Sequence, residues 1–313
     1  MSVIEQAAKR LEELRKAGIP TPGGAIPETE PASSDRAPAG AESSRLSARG
    51  AHAERDSSAE IEPAAAAGAG RHIDFDLERL RAAGMITPDQ PNLKLAEEFR
   101  VIKWPLLQNV RGKAAAPVDR PNLIMVTSAT PGEGKSFISA NLAISLAMEV
   151  DTSVLLVDAD VTARSMEQIF GITAPHFGLM DLLSRPEIDF SAAAMTTSIP
   201  RLSILTAGRS HSRATELLAS QAMRALLDTL AARRDQIVVF DSPPLLATSE
   251  ARVLATFMGQ VAVVVEANRT TRSKLEQALD TVSECPIVMT ILNKARESDV
   301  GSYYGYRQYG TGG

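Results

Sequence analysis

Tyrosine is missing from the first 302 residues of this 313-residue chain, and all four tyrosines fall at Tyr303, Tyr304, Tyr306 and Tyr309. Cysteine occurs once, at Cys285, which excludes an internal disulfide and fits a reducing compartment. By itself it reads as a small buried hydrophobe. The histidines His52, His72, His176 and His211 are scattered, with no pair at metal-ligand spacing on one helix face. No stretch approaches about 20 uninterrupted apolar residues, so no direct membrane span is expected. The charged start MSVIEQAAKRLEELRKAG lacks the apolar centre of a signal peptide. Together these absences point to the cytoplasm. A net charge of −5 provides no global attraction to nucleic acid, and none is expected as a partner.

What is present falls into four parts. Ile4, Ala7, Leu11 and Leu14 form a narrow apolar stripe on a short amphipathic helix over residues 1–17. That helix is either a solvated turn or a docking element. Residues 18–70 contain no aromatic residue and are rich in Ala, Pro, Ser, Gly and Glu. They bury too little apolar surface to offset chain entropy, and a disordered tether is expected there. Folded sequence is expected over 72–300, opening with a helical turn in ERLRAAGMITPD that Gly84 closes. The Tyr- and Gly-rich stretch 301–313 is expected to form a flexible tail.

From Pro121 the runs NLIMVTS, SVLLVDAD, LSILTAG, QIVVFDS, QVAVVVEAN and PIVMTILNK alternate with stretches that read as amphipathic helices, such as SFISANLAISLAMEV. This is the pattern of βαβ units: an α/β fold with a mostly parallel sheet and helices on both faces. Ligands in such sheets bind beyond the carboxyl ends of the strands.

At the first of those ends stands ATPGEGKS, residues 129–136. It fits the P-loop pattern G-x-x-x-x-G-K-[ST], with Ala129 in place of the first glycine. Thr130, Pro131, Gly132, Glu133, Gly134, Lys135, Ser136 and Phe137 are therefore the expected ATP-binding segment. Lys135 reaches for the β- and γ-phosphates and Ser136 offers its hydroxyl to Mg²⁺. Two further strand ends carry carboxylates, Asp158 and Asp160 in VLLVDAD and Asp241 in IVVFDS. A lone aspartate at a strand end commonly caps the next helix. Three of them beside a phosphate loop favour metal and base roles. Asp241 is assigned to Mg²⁺, directly or through water, because Mg²⁺ takes only one or two carboxylates. Asp158 and Asp160 are candidates for metal positioning and for receiving a proton.

These motifs resemble the bacterial tyrosine kinases of capsule and exopolysaccharide synthesis, which are P-loop NTPases. PGEGKS followed by Asn141-Leu142-Ala143, then VLLVDAD, VVFDSPPLL, ATELLAS and the tyrosine-rich tail are similar to that family's successive motifs. The soluble form and the ERLRAAGMITPD segment resemble the exosortase-associated tyrosine autokinase branch. The resemblance implies Mg²⁺ and ATP as cofactors and a homo-oligomeric ring. It also implies a membrane polysaccharide co-polymerase or chain-length protein as activator, with recruitment to the inner face of the cytoplasmic membrane. Glu97, Arg100 and Lys103 match the subunit-contact element E-x-x-R-x-x-R except for the lysine, which lacks the bidentate fork of arginine. Asn293 is, by resemblance, an adenine partner; its ordinary alternative is a cap or loop residue. The arginine that normally follows the paired aspartates is displaced to Arg164, with Thr162 and Ala163 in its place. Trp104 is expected to pack in a core or interface.

On this reading Tyr303, Tyr304, Tyr306 and Tyr309 are phosphoacceptors delivered between subunits. Ten extended residues from Asn293 span about 33 Å, and the glycines keep the segment mobile. Each phosphotyrosine adds about −1.5 to −2 charge, so phosphorylation is expected to eject the tail and dissociate the ring. Two rivals remain: a partitioning-type ATPase, whose loop would carry lysine where Thr130 stands, and a nucleotide-gated scaffold that transfers no phosphate.

Overall fold

The computed structural model describes residues 71–89, 93–173 and 176–296. The helix expected over 1–17, the tether over 18–70 and the tyrosine tail over 301–313 lie outside the described residues. In chain order the first elements are β1 (His72–Ile73), α1 (Leu77–Ala82), α2 (Leu93–Val110), β2 (Leu123–Ser128), α3 (Lys135–Ala147) and β3 (Ser153–Asp158). Next come α4 (Ser165–Phe170), α5 (Leu179–Ser184), α6 (Phe190–Ala193), β4 (Met195–Thr197), β5 (Leu202–Leu205), α7 (Ala214–Leu218) and α8 (Gln221–Ala232). The last are β6 (Gln236–Asp241), α9 (Ser249–Ala255), β7 (Gln260–Glu266), α10 (Arg272–Asp280) and β8 (Ile287–Asn293).

The six apolar runs are β2, β3, β5, β6, β7 and β8. They lie in one eight-stranded sheet ordered β1-β4-β5-β3-β6-β2-β7-β8, parallel throughout except for the antiparallel β4–β5 pair. Period-two alternation sends the two sets of strand side chains into separate layers. Ile124, Val126, Val154, Leu156, Ile237 and Val239 face one core with α2 and α3. Leu123, Met125, Leu155, Val157, Val238 and Phe240 face the other with α5, α8 and α9. Cys285 is buried in this second core, as expected of a small hydrophobe.

Register decides what meets at the carboxyl edge. Asp158 stands opposite Asp241 across β3 and β6, and Glu266 stands opposite Asn293 across β7 and β8. The loop after β2 therefore has the carboxylates on one side and the Glu266–Asn293 pair on the other.

The helix after that loop departs from the sequence expectation. The segment reads as amphipathic, yet from Ile138 to Ala147 every residue of α3 is buried. The cause is α2, which packs over its outer side through Phe99, Leu106 and Leu107. Two of the polar residues this buries, Asn141 and Lys103, are bonded as burial demands. Asn141 accepts from the Ile86 N–H at 2.7 Å through Oδ1 and donates to the Phe137 carbonyl at 2.9 Å through Nδ2. Lys103 donates to the Ser145 carbonyl at 2.8 Å. The outer face of α2 carries Glu97, Arg100, Val101 and Trp104, all exposed. Trp104 is 60% exposed, so it does not belong to this core. No helix among the described residues is long and apolar enough to cross a membrane.

Candidate active site

The loop between β2 and α3 turns on two glycines with positive φ, Gly132 at +87° and Gly134 at +96°, a region L-residues avoid. Gly134 is also the N-cap of α3, with no side chain capping the helix. The first N–H groups of α3 therefore lack intrahelical partners and face the loop, where the helix dipole is positive. A Cβ on Gly134 would overlap the Asn293 amide nitrogen, so its lack of a side chain is required twice over.

Glu133 braces the loop from within. It is buried, accepts from the Thr130 N–H at 2.8 Å and receives the Thr270 hydroxyl on its other oxygen. Thr270 in turn accepts from the Glu266 N–H at 3.0 Å. Asn293 donates to the Glu133 carbonyl at 2.9 Å, and Lys294 donates to the Gly132 carbonyl at 2.8 Å while pairing with Glu266 at 3.2 Å. Thr270, Glu266 and Lys294 were not picked out from sequence. They are ordinary polar residues at or just past the ends of β7 and β8, and only the strand register brings them to the phosphate loop. Phe137 packs against the first core and Pro131 is exposed.

Lys135 points into the carboxylates. Its ammonium lies 2.6 Å from Asp160 and 3.9 Å from Asp241, and it donates to the Ser136 hydroxyl at 3.2 Å. Burial disfavours this charge, but Asp241 and Asp160 outweigh burial and hold the lysine above its ordinary value. Burial first, then repulsion from Asp241 and Asp160, pushes Asp158 up to about 8. Burial likewise raises Asp241, against the pull of Lys135 and the Ser136 and Ser139 hydroxyls. Ser139, another residue missed in the sequence, donates to Asp241 Oδ1 at 3.0 Å. It lies one helical turn beyond Ser136, on the same face.

The two aspartates of VLLVDAD differ. Asp158 accepts from the Asp160 N–H at 3.1 Å and the Met166 N–H at 3.2 Å, one on each oxygen. It thus fixes the turn into α4. Asp160 has one oxygen on the Ala163 N–H at 3.1 Å and the other on Lys135. Three carboxylates face one ammonium, and Asp241 Oδ2 is buried without a hydrogen-bond partner. An orphaned carboxylate oxygen, a nearby serine hydroxyl and carboxylates crowded together in a buried site fit Mg²⁺, which prefers oxygen ligands and keeps several waters. Among the described residues no cluster of three or more His, Cys, Asp or Glu has the form of a closed metal cage.

The remaining expected site residues lie elsewhere. Glu97 and Arg100 pair with each other on the open face of α2. Lys103 is turned inward, where its ammonium bonds Glu149 at 2.8 Å as well as the last turn of α3. Arg164 sits in the left-handed region at φ 47° and donates to Glu167 at 2.7 Å. The four tyrosines lie outside the described residues.

The family described as ParA: NUBPL iron-transfer P-loop NTPase matches residues 120–282. With a single cysteine in the chain, that match speaks for the nucleotide-binding fold. Tyrosine-protein kinase YwqD of Bacillus subtilis is 31% identical over 236 residues, covering 72% of this chain and 91% of YwqD. Tyrosine-protein kinase ptk of Acinetobacter johnsonii is 32% identical over 185 residues, 58% of this chain; the chain spans a quarter of that relative, 25%. The crystal structure of the VpsO kinase domain superposes with a TM-score of 0.57 at 29% identity, covering 65% of this chain and 96% of that domain. Fold, phosphate loop and these relatives agree: the chain belongs to the bacterial tyrosine-protein kinases, a family of P-loop NTPases.

Proposed function

We propose that the protein is an ATP-dependent tyrosine autokinase that phosphorylates Tyr303, Tyr304, Tyr306 and Tyr309 of a neighbouring copy. The observation that carries this is the site itself, in which Lys135 lies between Asp160 and Asp241 at the mouth of a phosphate loop. The loop N–H groups and the α3 N-terminus hold the phosphates, and Lys135 leaves its carboxylates to meet the γ-phosphate. Asp241 and Ser136 would hold Mg²⁺, which when bound neutralises charge on the β- and γ-phosphates.

In the transfer, the phenolic oxygen bonds to the γ-phosphorus. The bond from that phosphorus to the β–γ bridging oxygen breaks, ADP leaves with the electron pair, and the phenolic proton passes to a carboxylate. Asp160 suits that last role better than Asp158. It faces Lys135, whereas both oxygens of Asp158 are engaged by backbone N–H groups inside the sheet edge. Asp158 serves to hold the turn that presents Asp160.

The open face of α2, with Glu97, Arg100, Val101 and Trp104, is the surface through which copies assemble into a ring. Lys103 supports it from beneath by fixing α2 to α3. The kinase acts in exopolysaccharide polymerisation and export, at the inner face of the cytoplasmic membrane, with a polysaccharide co-polymerase as activator. Accumulated phosphate on the tail repels the acidic site and opens the ring.

Incubation of the full chain with labelled Mg-ATP tests the reading against a Lys135→Met variant and a variant with all four tail tyrosines changed to phenylalanine. Label on tyrosine that both variants lose is the expected result. Free phosphate without phosphotyrosine would identify an ATPase, and neither product a scaffold. Oligomer size measured before and after ATP checks the ring; no change at full phosphorylation refutes its dissociation.

A further inference from the structure

Immediately beyond Asp160 a cavity of about 370 Å³ opens between the loop after β3 and the start of α7. Its wall includes Val161, Thr162, Ala214, Thr215 and Glu250. The size falls in the roughly 300–1,000 Å³ range of clefts that enclose one small ligand or side-chain group. Val161 and Ala214 supply apolar surface for a ring. Asp160, one residue before Val161, holds its carboxylate between the Ala163 N–H and Lys135.

The charges on this wall are unevenly satisfied. Arg164 donates to Glu167 at 2.7 Å, and His211 Nδ1 accepts from the Arg213 N–H at 3.1 Å. Glu250 accepts from the Thr215 hydroxyl at 2.5 Å, but no basic group among the described residues pairs with it. Partial burial works against the charge, but hydrogen bonds from Thr215, its own backbone and Ser249 outweigh it and hold the carboxyl below the ordinary range, so it is an anion at neutral pH. A half-buried anion on a mostly polar wall that also offers Val161 and Ala214 favours a ligand carrying an aromatic ring next to a cation.

The acceptor tail offers that combination once. Arg307 is the only basic residue between 301 and 313, and it directly follows Tyr306. We infer that this cavity is the acceptor subsite and that Glu250 selects Tyr306 as the first tyrosine phosphorylated, by pairing with Arg307. The inference rests on the autokinase reading above and adds to it an order of use and a specificity residue. Tyr306 enters with its ring against Val161 and Ala214 and its phenol towards Asp160. Tyr303, Tyr304 and Tyr309 have no adjacent cation and follow later. From Arg296 to Tyr306 is ten residues, about 33 Å when extended, enough for a tail to leave its own subunit.

Time-resolved mass spectrometry of the full chain in Mg-ATP, with phosphate mapped at each tyrosine, tests this. Phosphate is expected at Tyr306 before the other three in the unaltered protein. Glu250→Gln and Arg307→Gln should each slow Tyr306 about fivefold, what one half-exposed ion pair is worth at most. The reversed pair, Glu250→Arg with Arg307→Glu, should restore the lead that each reversal alone removes. ADP binding shows that the Glu250 variants are folded; if one is not, Arg307→Gln decides the matter. Phosphate appearing first at 303, 304 or 309, or a Tyr306 rate unchanged by Arg307→Gln, overturns the inference and leaves the kinase standing. Absence of phosphotyrosine from every sample overturns the kinase reading and this inference with it.

Discussion

Gly134 and Asn293 lie 159 positions apart in the sequence and are locked together at the phosphate loop, so a double-mutant cycle between them is informative. Gly134→Ala places a side chain at φ +96°, which costs about 1–2 kcal/mol. The new methyl also displaces the Asn293 amide and breaks its 2.9 Å bond to the Glu133 carbonyl, a further ~0.5–1.5 kcal/mol. The single variant should therefore lose about 2–3 kcal/mol. Asn293→Ala alone loses only the bond, about 1 kcal/mol. In the double variant the bond can be lost only once, so the cost stays at about 2–3 kcal/mol rather than 3–4, a coupling near 1 kcal/mol. Urea denaturation read from the midpoints at constant slope resolves this. Strict additivity, or a neutral Gly134→Ala, refutes the claim that Asn293 closes over the glycine. The same variants separate two roles of Asn293. If it holds adenine as well as the loop, Asn293→Ala weakens ATP binding more than it weakens the fold.

Other outcomes follow from the buried polar groups. Asp158 is raised to about 8 and Asp241 is raised with it. The unfolded chain releases these protons near pH ~4, whereas the folded chain keeps them higher. The folded state then binds more protons between those limits, and Tm should fall as pH rises from about 5 to 8. Mg-ADP should flatten that slope, because a bound cation removes the reason for protonation; a flat or rising profile without nucleotide refutes the assignment. Glu250 and Glu266 are shifted the other way, but their contribution changes only at lower pH. Asn141→Leu leaves the buried Ile86 N–H without its acceptor, at a cost of about 1–3 kcal/mol. Faster hydrogen exchange at the Ile86 amide would locate the damage there, and unchanged exchange would refute it. Ser139→Ala removes the hydroxyl on Asp241 and should weaken Mg²⁺-dependent ADP binding about tenfold, some 1.4 kcal/mol, with little effect on binding in EDTA; calorimetry in both buffers checks this.

The six long strands were legible because each is an unbroken apolar run in a sheet covered on both faces, and hydrophobic periodicity reports burial directly. The loop ATPGEGKS was legible because its glycines and Lys135-Ser136 are constrained by local backbone geometry. The strands β1 and β4 were not, since two and three residues carry no period and exist only through pairing with each other and with β5. The all-round burial of α3 was hidden for a related reason. Its serines and asparagine look like a solvent face until α2 and the segment at Ile86 supply partners.

Register was the largest thing the sequence withheld, and the site depends on it. Asp158 and Asp241 end two strands separated by 77 residues that contain β4 and β5. Nothing local says they stand side by side, but the β3–β6 ladder makes them neighbours. Once they are neighbours, their chemistry diverges by position alone. Asp158 spends both oxygens on backbone N–H groups, Asp241 keeps one oxygen unpaired, and Asp160, just past the ladder, reaches Lys135. Three residues of one type thus acquire three environments: one braced by backbone N–H groups, one with an unpaired buried oxygen and one paired with Lys135. Such a division follows from where each strand stops. A one-residue slip between β3 and β6 would send Asp158 to the other face of the sheet and remove the site while leaving the core composition unchanged.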